Sequence, residues 1–219
     1  LQGGKMPLNR VKGTLATLMS SLIFGFTPIL ARMTYDGGSN SINMVFFRSF
    51  LAIPFLLLIL IKRKVPLGVN KRQLRDLLLG GFIGSALTTL SLYGSYRFIS
   101  VGTATTLHFA YPLLVVLAGF LFFREKPSKK KMVALALGLA GVMAFFEFGG
   151  GGQLLGLALA LFSALTFAFK VLWTERSSIA SLDSLKITLY FCLCDCILAG
   201  GAGLFTGQLT FQMSPMAWV

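Results

Sequence analysis

Four ionisable residues stand inside apolar stretches of this chain: Arg48, His108, Lys170 and Asp195. A charge within a membrane span is costly, and such residues face a bundle interior, a water-filled cavity or one another. Lys170 shares a helical face with Ser163, Thr166, Phe167 and Thr174, by spacings of three and four. It reads either as a cavity cation that meets a substrate carboxylate or exchanges protons, or as a lysine snorkelling toward Glu175 and Arg176 one turn away. His108 stands with Thr105, Tyr111 and Pro112. A neutral imidazole there would hydrogen-bond a substrate or titrate near physiological pH, or bond a neighbouring helix. Pro112 frees a backbone carbonyl close by. Arg48 reads first as a structural ion-pair or carbonyl partner, and second as cavity lining. Asp195 suits a cation such as Lys170 or Arg48, or a proton.

Aromatic and polar breaks add to this set. Tyr93 and Tyr96 share a face with Thr89 and Arg97 and could stack on an aromatic or cationic substrate. Thr27 and Pro28 interrupt the first apolar stretch, with Ser20, Ser21 and Phe24 near the same face. The expected cavity lining is therefore Lys170, His108, Tyr111, Tyr93, Thr27, Thr105 and Phe24. Arg48, Asp195, Pro28 and Pro112 are expected in structural or coupling roles.

Other chemistries find less support. Cys192, Cys194 and Cys196 fall within one apolar segment, where only the first and third share a face, so they read as small buried hydrophobes. One histidine makes no metal cluster, and neither a glycine-rich phosphate loop nor a nucleophile motif is present. Catalytic residues, a resident metal and a cofactor are not expected. The net charge of +13 would suggest nucleic acid in a soluble protein. Here the basic residues cluster in short loops, which reads as a topology signal and not as a nucleic-acid surface.

The elements that must hold these residues are membrane spans. The chain is 55% hydrophobic and 12% charged, about half the usual charged fraction, and its mean hydropathy is +0.79. Seven stretches approach the roughly 20 residues that cross a bilayer core: 11–33, 42–61, 77–98, 103–123, 132–146, 154–173 and 185–206. Residues 1–10 form a tail whose first five, before Met6, read as an expression remnant. Residues 149–152 form a glycine linker. Basic residues crowd the tail and alternate loops, at Lys62–Lys64 with Lys71, Arg72 and Arg75, and again at 124–131. The positive-inside rule then puts the N-terminus and those loops in the cytoplasm.

The first and sixth spans repeat one another. Laid together without gaps, Gly13 meets Gly156, Leu18 meets Leu161, Ser20 meets Ser163, Leu22 meets Leu165, Phe24 meets Phe167 and Phe26 meets Phe169. Five spans precede the sixth, so the copies enter the membrane from opposite sides. That is an inverted repeat, which in transporters places a site near the midplane. The expected fold is an all-α polytopic transmembrane bundle with an inverted five-plus-five repeat. Residues 11–148 would be the first half and 153–219 part of the second, with three more spans expected after Val219.

The ordered residues that carry a family likeness are Phe24-Gly25-Phe26-Thr27-Pro28, Arg48, the run from Tyr93 to Ala104, Pro112, Arg124-Glu125-Lys126-Pro127-Ser128, Gly138 and Gly141. In these the chain resembles the drug/metabolite transporter superfamily, EamA type. The resemblance implies two inverted five-helix halves around a central cavity, and export or exchange of small metabolites by alternating access. The expected function is thus a secondary transporter of small organic metabolites, amino acids or related compounds among them, in the plasma membrane. Its expected partners are substrate, lipid bilayer, a coupling proton or ion, and a second copy as a homodimer. The rival expectation, motivated by the end at Val219, is a non-transporting membrane scaffold. A membrane enzyme ranks third, for want of a catalytic cluster.

Overall fold

A computed structural model describes residues 8–124, 128, 132–133, 136–138, 140–141 and 153–215, excluding the side chains of residues 8–12, 17 and 24. The expected fifth span, 132–146, falls largely outside the described residues. The helices whose bounds lie within the described residues are α1 (Leu8–Asp36), α2 (Ser41–Lys62), α3 (Lys71–Leu79), α4 (Leu87–Ser95), α5 (Val101–His108), α6 (Tyr111–Phe123), α7 (Gln153–Arg176) and α8 (Ser184–Thr206). A π-helical segment, Gly80–Ala86, joins α3 to α4. Among the described residues there is no strand. Among the described residues, six helical runs are long and apolar enough to cross a membrane. The protein is an all-α, multi-pass membrane bundle.

Local chemistry sets the helix ends. Asn40 caps α2 by accepting from the Asn43 N–H, and Ser100 caps α5 through the Thr103 N–H. Asn70 and Gln73 close a reciprocal capping box at the start of α3. That box starts the third span at Lys71, six residues before the hydropathy boundary, so Lys71, Arg72 and Arg75 lie on helix and not in a loop. Gly207 ends α8 with φ +65°, a left-handed conformation that suits glycine.

The fourth span is not one helix, as its hydropathy suggests. It breaks at Phe109 and Ala110, and α6 restarts with Pro112 in its first turn. Proline has no N–H to give, and its ring collides with the carbonyl four residues back, here that of His108. Pro28 and Pro54, by contrast, sit within continuous helices.

Packing rests on small residues. In α7, Gly156, Ala160, Ala164 and Ala168 recur every four residues and are buried. This row lets neighbouring backbones approach, as is usual for helices in lipid. At Gly156 a Cβ would stand 2.8 Å from atoms of Phe98 and Ile99. The π segment sits equally close to α7 and α8. A Cβ at Gly80 would meet Phe191 and Trp173 at 3.1–3.2 Å, and one at Gly81 would stand 2.9 Å from the Cys194 Cβ. Outward faces are apolar instead, with Leu22, Ile23, Phe26, Phe55, Leu121 and Phe205 exposed, as lipid requires.

Candidate functional site

Asp195 is the twelfth residue of the 23-residue α8, so helix geometry puts it halfway along the span. It is 2% exposed. Its Oδ2 accepts from Ser49 Oγ of α2 at 3.1 Å. Its Oδ1 is buried and has no hydrogen-bond partner. Ser85 of the π segment interacts with the same carboxylate without closing a bond on Oδ1.

Asp195 also lines a cavity of about 440 Å³, together with Arg48, Ser85, Lys170 and Cys192. Toward the far ends of the helices, Glu175, Ser184 and Thr188 line it as well. Arg48 comes from α2, Ser85 from the π segment, Lys170 from α7, and Cys192 and Asp195 from α8. Among the described residues, no carboxylate lies within 4 Å of Arg48 or Lys170. Each cation is held by aromatic side chains instead. Arg48 donates to Tyr93 Oη at 2.8 Å and lies 5.5 Å from that ring's centroid. Lys170 Nζ stands 5.2 Å from the Phe167 ring and 5.4 Å from the Phe191 ring. Cation–π contacts of this kind hold a charge without neutralising it.

The other sequence-derived candidates separate from this cavity. His108 is buried on α5, with Nδ1 3.0 Å from Ser163 Oγ. Its ring packs edge-on to Phe167 at 5.1 Å, and Tyr111 packs on Phe167 at 4.5 Å. Phe167 thus stands between this aromatic cluster and Lys170. Tyr93 is buried behind Arg48, and its backbone carbonyl accepts from Tyr35 Oη at 2.7 Å. Thr105 Oγ1 donates within its own helix, to the Val101 carbonyl. Thr27 does the same in α1, to Ile23. Pro28 lies in α1, Pro112 marks the α5–α6 break, and the Phe24 side chain lies outside the described residues. Ser49, Ser85, Phe191 and Cys192 were not anticipated. Only Ser49, adjacent to Arg48, had a signal in the sequence.

A hydrogen-bond network runs along the basic ends of the helices. Asp76 Oδ2 accepts from Ser178 N at 3.1 Å and Oγ at 2.7 Å, while Oδ1 accepts from Arg75. Trp173 Nε1 donates to the Asp76 carbonyl at 2.9 Å. Lys186 Nζ donates to the Gly68 carbonyl at 2.6 Å, and Tyr190 Oη donates to Leu67. The α2–α3 and α7–α8 connections are therefore each tied to a helix of the bundle. Among the described residues, no group of three histidine, cysteine or acidic side chains could hold a metal ion.

Residues 11–146 match the model of the EamA-like transporter family. The chain belongs to this family. The chain is similar to a Synechocystis protein, 25% identical over 196 residues, covering 75% of this chain and 59% of the relative. A Pasteurella multocida protein is 28% identical over 149 residues, covering 64% of this chain and 50% of the relative. A Bacillus subtilis protein is 30% identical over 98 residues, covering 45% and 29%. All three bear the name uncharacterized transporter. The chain thus spans between about a third and three-fifths of the length of these relatives. No solved structure matches it.

Proposed function

We propose that this chain is part of a secondary transporter that exports small organic metabolites by alternating access. Its halves would be 11–148 and a second beginning at 153, in the plasma membrane with the basic loops cytoplasmic. The observation that carries this reading is the cavity where Arg48, Lys170 and Asp195 meet within electrostatic reach but with no ion-pair contact inside 4 Å. A charge at mid-span, where Asp195 stands, costs about 2.5–3.5 kcal/mol on the insertion scale. A bundle held by apolar and small-residue packing gains nothing structural from that cost if the charges are left unpaired. A ligand that pairs them recovers it.

The charges also describe the ligand. Two cations can hold a carboxylate, while Asp195 Oδ1 can accept from an ammonium or take a coupling proton. A cavity of about 440 Å³ falls within the range of roughly 300–1,000 Å³ usual for small-molecule sites. The reading is a zwitterionic metabolite of amino-acid size, with Lys170 and Arg48 on its anionic end. His108 and Tyr111 would act through Phe167, as a wall behind Lys170.

The test is efflux from liposomes holding the full-length protein that carries this chain, loaded with labelled phenylalanine or threonine. Release above protein-free liposomes, cut roughly tenfold or more by Asp195→Asn and lowered by Lys170→Met, is expected. Release equal to the protein-free control for both probes, or undiminished by both variants, would overturn the reading.

A further inference from the structure

The cavity that holds Arg48, Lys170 and Asp195 opens toward the basic ends of the helices. Glu175, near the end of α7, and Ser184 and Thr188, early in α8, line it and are exposed. Asp195 lies eleven residues past Ser184, about 16 Å deeper at 1.5 Å per residue, and is buried. A second opening lies at the opposite ends of the helices. It is a polar vestibule of about 580 Å³ whose lining includes Tyr35, Asp36, Asn40, Tyr96 and Arg97.

Three tyrosines stand between the two openings. Tyr35 and Tyr96 line the vestibule, while Arg48 lines the cavity. Tyr93 touches all three. Its hydroxyl accepts from Arg48 at 2.8 Å, its backbone carbonyl accepts from Tyr35 Oη at 2.7 Å, and its ring packs edge-on to Tyr96 at 5.5 Å. Tyr35 packs edge-on to Tyr96 at 6.3 Å. Tyr93 and Tyr96 are each 3% exposed and join a buried apolar cluster with Ala31 of α1, Val45 of α2 and Ala199 of α8. Apolar packing alone would be served by leucine or phenylalanine. Tyrosine adds polar contacts between helix ends: Tyr35 is the penultimate residue of α1, and Tyr93 lies in the last turn of α4. A tilt of either helix breaks such a contact, and water from the vestibule can replace it, so that little is lost on opening.

We propose that Tyr35, Tyr93 and Tyr96 are the gate that closes the cavity from the end opposite the basic one, and that it opens when α1 parts from α4. The gate is shut in this structure, while the basic end is open. Arg48 belongs to both gate and cavity, so occupancy of the site bears on the gate through the bond to Tyr93. This inference rests on the transport reading and deepens it, by naming what controls access to the same site.

The experiment reads the reactivity of Cys192, which lines the cavity and is half-buried, in the full-length protein with every other cysteine replaced by alanine. A small membrane-impermeant anionic methanethiosulfonate is applied to intact cells and, separately, to inverted membrane vesicles. Lys62→Cys and Gln212→Cys in a cysteine-free background, exposed at the basic and opposite ends, mark the face that each preparation presents. Cys192 should react from the basic face at least roughly tenfold faster than from the opposite face, since a minor conformation holds about 10% of the population or less. Tyr35→Phe, which removes the donor to the Tyr93 carbonyl, should raise the opposite-face rate by roughly two- to tenfold, the worth of one hydrogen bond. Tyr96→Ala, which takes a ring out of the layer, should raise it at least as much. The basic-face rate should not rise in either variant. Equal rates from the two faces before these substitutions would overturn the proposal. So would an opposite-face rate unchanged in both variants, or a parallel rise from both faces, which would mark a loosened bundle. Labelling needs no substrate, so its failure is separate from an absence of phenylalanine or threonine efflux.

Discussion

Gly84 lies directly on Lys170. A Cβ at position 84 would stand 2.7 Å from the Lys170 Cβ and 2.9 Å from its Cα. The π segment and α7 thus touch where the cavity lysine leaves its helix. The backbone of Lys170 cannot yield as a flexible side chain could. Gly84→Ala should therefore separate the two elements, at a cost of about 1–3 kcal/mol from overpacking. A thermal melt in detergent reads this as a lowered midpoint. An unchanged midpoint would show that the contact relaxes freely. Gly138→Ala, where a Cβ meets nothing within 4 Å, serves as the control.

Asp195→Asn keeps the volume of the side chain and can keep the bond from Ser49, yet removes the carboxylate that lines the cavity with Arg48 and Lys170. The fold should persist with its melting midpoint within a few degrees. Efflux should fall by roughly 10- to 100-fold, the value of one hydrogen bond to a charged group at about 1.5–3 kcal/mol. The two readouts must part company, because a loss of both would place Asp195 in the structure and not in the site.

Lys170→Met should behave in the same direction for a different reason. Methionine keeps a long apolar stem against Phe167 and Phe191 while losing the charge. Stability should change little, since a costly charge leaves the membrane interior while Asp195 loses a nearby cation. Affinity for a carboxylate-bearing substrate should drop, whereas an uncharged analogue should be affected less. Equal effects on both ligands would argue against a carboxylate contact.

Tyr93→Phe isolates the support of Arg48. The hydroxyl accepts from the arginine at 2.8 Å, and its removal should lower stability by about 1–3 kcal/mol. The ring remains, so the cation–π contact survives. A double variant with Arg48→Met should then lose little more than Arg48→Met alone. Additive losses in that cycle would show that the two residues act separately.

Asp76→Ala removes the acceptor for Ser178 N and Oγ together with the partner of Arg75. The α7–α8 connection should then loosen. Limited proteolysis within 177–183 should accelerate while the membrane-embedded remainder stays protected. Unchanged cleavage would mean that Trp173, donating to the Asp76 backbone carbonyl, suffices to hold the connection.

Hydropathy and spacing determined a good deal unaided. The run of apolar stretches locates the described spans within a few residues, because lipid demands about 20 apolar residues in each. Residue type alone marks Lys170 and Asp195 as unusual, since the cost of a charge in a membrane does not depend on its neighbours' identity. Pro112 announces a freed carbonyl, and the break at Phe109 and Ala110 is the consequence. Tertiary structure decided which polar groups meet. Helix rotation and pairing follow from close backbone approach at Gly80, Gly81, Gly84 and Gly156, and hydropathy is blind to that approach. It sends His108 to Ser163, and it brings Arg48 and Ser85 to Lys170 and Asp195. These four stand on separate elements up to 147 positions apart, so no local pattern could have joined them.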